Sequence, residues 1–218
     1  MTAQGPSPSV AATFVARDER ERLFVALAQL IEERGYENVA VEQVAERAGL
    51  APDAFARWFD SIEQCLLGAF EAIAEQAWTA AADVYMQTPG SWAEAVHAAL
   101  AQLLDFLAGC PELTRMCIVE ALYAGSPALE RRDEVLGRFA EFLEPGFAQS
   151  ADPPPEVVSE AISGGVYELV RAHAVERRLD TLPDSLPEAT VIALSPFLGS
   201  AKAERLASRP ARVAAGRR

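Results

Sequence analysis

A chain of 218 residues, half of them apolar, has the side-chain volume to bury a sizeable core as one large or two small domains. The apolar residues are interrupted by charges too often to cross a bilayer, and the first charged residue is Arg17, so no basic stretch precedes an apolar core as in an export signal; a cytoplasmic protein with no membrane partner is expected. The net charge of −13 by itself argues against nucleic acid as a partner, because Lys and Arg supply most non-specific affinity for phosphate.

Residues 1 to about 12 are small, uncharged and rich in Pro and Ser, the composition of a flexible arm that reaches residue 16. From Asp18 the pattern turns helical: Leu23, Leu27, Leu30 and Ile31 recur on one face, and Gly35 is placed to end the helix. Val41 to Ala48 is a short helix closed by Gly49, and Pro52 to Phe59 a second one with Pro at its first position. Two short helices joined by a turn containing Gly are the pattern of a helix-turn-helix, with Leu50 as its inward plug.

Ser61 with Gln64, and Ser91 with Glu94, have the spacing of capping boxes. They open a long helix ended by Thr88-Pro89-Gly90 and a second helix to about Ala108. Pro111 starts a helix over 112–124, and Gly125-Ser126-Pro127 separates it from one over about 128–143. After the triple proline 153–155 come helices over 156–178 and 187–198, the latter kinked or interrupted near Pro196, and a last helix over 202–207. No alternating strand pattern with hairpin turns is present, so the expected fold is all-α.

The three cysteines, Cys65, Cys110 and Cys117, lack metal-ligand spacing and read as reduced buried thiols. His97 and His173 are far apart with no neighbouring ligands. No metal, no cofactor and no catalytic constellation is expected; an all-helical enzyme would need acid and base groups clustered by the fold alone.

Residues 20–67, in particular Arg34-Gly35-Tyr36, Val44-Ala45 with Ala48-Gly49, Arg57 with Phe59, and Ser61/Glu63/Leu66-Leu67, resemble the N-terminal domain of the TetR family of transcriptional regulators. The resemblance implies a three-helix helix-turn-helix domain over 17–60, followed by a larger helical ligand-binding and dimerisation domain over 61–200. It makes Val41–Ala48 the positioning helix and Pro52–Phe59 the recognition helix in the major groove of a double-stranded operator. Arg57 would then reach a guanine or a phosphate, and Trp58 a sugar or thymine methyl unless it is a core residue. Pro52 and Asp53 would sit at the groove-facing end, Arg17, Arg20 and Arg22 beside the backbone, and Phe55 and Phe59 as wedges against the first helix.

The chain departs from the family pattern at Ala40, Ala51, Ala56 and Ile62, where donors to phosphate are common. Between Arg17 and Gly68 six basic residues face eleven acidic ones, so few phosphate contacts and a shallow salt dependence are expected.

Trp78, Tyr85, Trp92, His97, Phe106, Met116, Cys117, Tyr123 and Phe139 are candidates to line a pocket for an apolar or amphipathic effector, with His97 and Tyr123 as polar anchors; each is equally suited to plain core packing. Gly164 and Gly165 in mid-helix invite a close-packing explanation, in a partner helix or within the monomer. By resemblance, the helices over 156–178 and 187–198 form a homodimer's four-helix bundle. Residues 201–218 read as a basic tail. The function implied is a repressor released from a palindromic operator by its effector; the alternative is a ligand- or partner-binding dimer of the same fold with weakened DNA binding.

Overall fold

The computed structural model describes residues 16–120 and 126–211. The N-terminal arm and Tyr123 therefore lie outside the described residues, apart from Ala16 itself. The described chain is helical, with no strand among these residues.

Helix α1, Glu19–Arg34, begins where the Asp18 carboxylate accepts from the Glu21 N–H at 2.9 Å. It buries Leu23, Phe24, Leu27, Leu30 and Ile31 on one face and ends at Gly35, whose φ of 79° is left to a residue without a Cβ. After a 3-10 turn at Tyr36–Asn38 comes α2, Val41–Arg47. Ala40 offers no side-chain acceptor at its start; the box is half made, with the Gln43 carboxamide accepting from the Ala40 N–H at 3.1 Å.

Helix α3 is Ala54–Trp58, shorter than the expected Pro52–Phe59. Pro52 and Asp53 form instead a tight turn closed by Ala54 N–H to Ala51 O at 2.9 Å. Asp53, at φ −82° and ψ −7°, has the third-position geometry of a type I turn, with Pro52 at the second position that proline favours.

Helix α4, Ile62–Gln87, is capped by Ser61, while Gln64 reaches past it to the Asp60 N–H at 3.1 Å. Ser91 and Glu94 form the complete capping box of α5, Trp92–Ala108. Helix α6, Pro111–Ile118, ends earlier than expected, and α7, Ser126–Ala140, begins earlier. A 3-10 turn at Glu141–Leu143 leads into a short α8, Glu144–Gln149, which the sequence did not announce. Helix α9 is Val157–Val175 and α10 is Leu186–Leu198, joined by a 3-10 stretch at Leu179–Ser185.

Helix α10 passes uninterrupted through Pro196, which sits on the exposed side. Helix α11, Ser200–Ala207, buries Ala203, Leu206 and Ala207, so the expected basic tail from residue 201 is a packed helix over its first third. Its amphipathic spacing, and not its basic composition, governs its placement.

The head formed by α1–α3 does not have a core of its own. Leu23, Phe24, Leu27, Val44, Phe55 and Leu66 pack into one cluster with Phe70, Ile73, Phe106, Met116 and Cys117 of the body. A second cluster at the opposite end of α4 and α5 gathers Trp92, Val96, Leu143, Ile162, Ala193 and Phe197. Gly146 is the tightest point there: a Cβ on it would come within 2.4 Å of the Trp92 ring.

Candidate nucleic-acid interface and ligand cavity

The turn between α2 and α3 is held from behind. Gly49 takes φ 65°, the Leu50 N–H donates to Ala45 O at 3.0 Å, and the Arg22 guanidinium donates to the Ala48 and Gly49 carbonyls. Arg22 is thereby a structural tie of the helix-turn-helix. Phe55 and Phe59 are buried with their rings packed at a tilt to each other, and Phe59 also meets the Phe24 ring at a tilt, at centroid distances of 5.7 and 5.5 Å. They are the wedges that seat α3.

On the outer side, Pro52, Asp53, Arg57 and Trp58 come together on one short exposed stretch. Trp58 is 46% exposed, which rules out the core role and leaves its indole free to meet another surface. Arg57 is not free: its guanidinium binds the Glu19 carboxylate at 3.0 Å and lies 3.9 Å from Asp53. Arg47, Arg22 and Arg20 of the head are also engaged. Arg47 makes a two-point pair with Glu33, and its hydrogen bonds hold that carboxyl below the usual carboxylate range. Arg20 lies over the Phe24 ring, 5.4 Å from its centroid, and with Arg17 lines a polar groove shared with Glu71 and Glu75 of α4 and Arg131 and Arg138 of α7.

Behind the head, α4, α5, α6, α7, α9 and α10 enclose a cavity of about 1050 Å³, counting its open mouth. Its walls are almost wholly apolar. Helix α4 contributes Phe70, Ile73, Ala74, Ala77 and Ala81, a stripe of mostly small side chains at helical spacing that leaves room beside it. Helix α5 contributes Val96, Ala99, Leu100, Leu103 and Leu107; α7 contributes Arg132, Val135, Leu136 and Phe139; α9 contributes Ile162, Ser163, Val166, Tyr167 and Val170.

Of the pocket residues expected from sequence, Cys117 and Phe139 line this cavity. Burial pushes the Cys117 thiol far above the ordinary thiol range, so it is a wall residue rather than a nucleophile. Trp78 and Tyr85 pack on Phe142, which lines the cavity, but do not themselves reach it. Phe106 and Met116 belong to the core shared with the head.

His97 is a correction. It is buried between α10 and the chain end, with Nδ1 2.7 Å from the Thr190 hydroxyl and Nε2 3.2 Å from the Arg209 carbonyl. Nε2 donates to that carbonyl, and Nδ1 shares the Thr190 hydroxyl with the Leu186 carbonyl, which lies 2.8 Å from the same oxygen. The ring fastens α11 to the body. Trp92 likewise donates to the Phe142 carbonyl at 2.8 Å inside the second core cluster. What sequence reasoning missed was the α9 wall, Arg132, Val135 and Leu136 of α7 and the alanines; the spacing of small residues along α4 was the signal.

Ion pairs tie these cavity helices to the head side of the molecule. Glu71 and Glu75 of α4 bind Arg131 and Arg138 of α7, each at 2.8 Å. Glu32 of α1 binds Arg115 of α6 at 3.2 Å and also pairs with Arg177, just beyond α9.

The helix-turn-helix head thus shares its core with a helical body that contains an apolar chamber. Residues 23–69 match the family model described as "Bacterial regulatory proteins, tetR family". No curated protein matches the chain. Among solved structures it is similar to the transcriptional regulator FadR from Bacillus subtilis in complex with stearoyl-CoA, at 16% identity over 82% of this chain and 97% of that one, with a TM-score of 0.69. It is also similar to Thermus thermophilus FadR in complex with lauroyl-CoA, at 18% identity over 82% and 95% with a TM-score of 0.60. RolR in complex with resorcinol aligns at 20% identity over 88% and 94%, with a TM-score of 0.56. At these identities the likeness is one of fold. The match to the family model covers the head and the start of α4, and the rest of the chain shares the fold of these solved regulators.

Proposed function

We propose that this protein is a cytoplasmic homodimeric repressor, released from a palindromic operator when a small apolar or amphipathic molecule enters the cavity. The observation that carries the reading is that α4, which continues directly from the head, also forms one wall of the chamber. A ligand that presses α4 and α7 apart, or draws them together, moves the pair Arg131–Glu71 and the pair Arg138–Glu75 with them. The head must follow because its core is shared with the body. That FadR is described with fatty acyl-CoA and RolR with resorcinol supports an effector of this general kind in a chamber so placed.

The dimer surface is assigned to α9 and α10. Val157, Ala161, Gly164, Glu168, Ala172 and Val175 form an outward stripe along α9, and Val157 and Val175 are 63% and 50% exposed. A Cβ on Gly164 would meet nothing within 4 Å, whereas one on Gly165 would come 3.3 Å from Ile192 of the same chain. Gly165 thus serves the monomer's own packing and Gly164 the partner's approach. A twofold pairing sets two α3 helices about 34–36 Å apart for successive major grooves.

The alternative, a dimer of this fold with weakened DNA binding, is favoured by one observation: Arg57 is committed to Glu19. Fluorescence anisotropy with the chain's own upstream DNA at several salt concentrations separates the two. Specific binding supports the repressor; its absence at low salt, with an intact dimer by light scattering, supports the alternative.

A further inference from the structure

We propose that the cavity takes an aliphatic chain ending in an anionic group, with the chain lying along α4 and the anion held by Arg132. This rests on reading the chamber as the effector site. The shape argues for a chain. From Phe70 to Ala81 the wall of α4 extends about 16 Å at the rise of an α-helix. The small side chains Ala74, Ala77 and Ala81 leave the room along that wall.

The head group follows from the polar atoms on the wall. Arg132 is the one charged residue among the described residues that line the cavity. Its guanidinium lies over the Tyr167 ring, 5.8 Å from the centroid, and its side chain is 31% exposed, which places the charge at a mouth between α7 and α9. Nε and Nη2 donate to the Asp133 carboxylate at 3.0 and 2.7 Å, leaving the Nη1 hydrogens without an acceptor among the described residues. One turn inward from Tyr167 along α9, Ser163 is 93% buried and lines the cavity, and its hydroxyl has no hydrogen bond to the described residues.

Thr114 and Tyr167, the other hydroxyls on the wall, donate to the Leu107 and Ile118 carbonyls at 2.8 and 3.3 Å. An unspent cationic donor at the rim and an unspent hydroxyl one turn inside are a polar end for an otherwise apolar slot. Carboxylate and phosphate both match the guanidinium edge. A free fatty acid carries its carboxylate at the chain end itself, whereas an acyl-CoA has a neutral thioester there and offers its phosphates only beyond the pantetheine arm, so the two sources of an anion are told apart by competition.

The test measures binding of a conjugated polyene fatty acid by its own fluorescence, beside the matching alcohol, with acyl-CoA and the free acid as competitors. The full-length protein is expected to prefer the acid over the alcohol by about tenfold or more, the worth of a charge-assisted hydrogen bond. Arg132→Gln removes that preference and leaves the alcohol's affinity within about twofold. Asp133→Asn, which frees the guanidinium, strengthens acid binding, and this gain cannot arise from misfolding. Competition by the free acid alone, or by the thioester alone, identifies the source. Equal binding of acid and alcohol by the unaltered protein overturns the head-group assignment while leaving the effector site standing. Binding of neither overturns the reading of the chamber as well.

Discussion

Glu19→Gln is expected to tighten DNA binding. In the free protein the Glu19 carboxylate holds the Arg57 guanidinium at 3.0 Å, and both side chains are about half exposed, at 47% and 52%. An exposed pair of this kind is worth about 0.2–1 kcal/mol, so releasing it raises the affinity of one half-site by at most about fivefold. For a dimer reading two half-sites the gain enters twice, to about 25-fold at the upper end. Loss of a negative charge beside the phosphates adds in the same direction and fades with salt. The assay is anisotropy with an operator duplex, comparing the wild type, Glu19→Gln, Arg57→Ala and the double variant. In the Arg57→Ala background the gain should shrink to that salt-sensitive contribution of the lost charge, because the rest acts through the Arg57 side chain. Weaker binding by Glu19→Gln would refute the reasoning and make Glu19 a support that aims Arg57 at its target.

Three further outcomes are expected. The slope of log K against log[salt] for operator binding is no steeper than about −6, since Arg47 and Arg57 are paired with carboxylates and Arg22 with the turn carbonyls. Gly146→Ala lowers the free energy of urea unfolding by about 1–3 kcal/mol, because its Cβ would press into the Trp92 ring; a change under about 0.5 kcal/mol would mean that this contact yields freely. His97 is held below its ordinary pKa, chiefly by burial, with the bond to the Arg209 carbonyl opposing. A base depressed in the folded state binds more protons when unfolded, so its contribution is complete above the unfolded pKa and is lost as pH falls through the depressed value. The protection factors of the 200–209 amides, corrected for intrinsic exchange, should therefore fall on acidification below about pH 6.5 and be lower at all pH values in His97→Ala; unchanged protection would remove the fastening role.

The helical framework was legible because its punctuation is local. Asp18, Ser61 and Ser91 start their helices through their own side chains, and Gly35 and Gly90 end segments at positive φ. Pro52 misled because the residue that opens a helix well also opens a type I turn, and the choice depends on how Phe55 and Phe59 seat against Phe24. Helix α8 was hidden in Glu144-Pro145-Gly146, which reads as a break until Trp92 supplies the surface that Gly146 fits. The helix-turn-helix was readable in detail, but the commitment of Arg57 to Glu19 joins residues 38 apart and has no trace in spacing.

The chamber was least legible. Large aromatics and His97 drew attention as candidate contacts, yet a cavity is where volume is missing, and Ala74, Ala77, Ala81 and Ala99 make the room. Arg132 and Ser163 acquire meaning only when α7 and α9 are brought face to face. His97 took the opposite course: a polar tip on an apolar face proved to be satisfied at both nitrogens by Thr190 and the Arg209 carbonyl.

In the proposed mechanism, filling the chamber loosens the head's hold on DNA. Its most direct test titrates a long-chain fatty acid, and separately its CoA thioester, into the preformed complex of the full-length protein with its upstream DNA, followed by anisotropy. Saturable release by at least one of them is expected, at concentrations that match its affinity for the free protein, with loss of that response when Ala99→Phe fills the cavity while operator binding persists. Saturable binding of the ligand with the DNA complex undisturbed would contradict it.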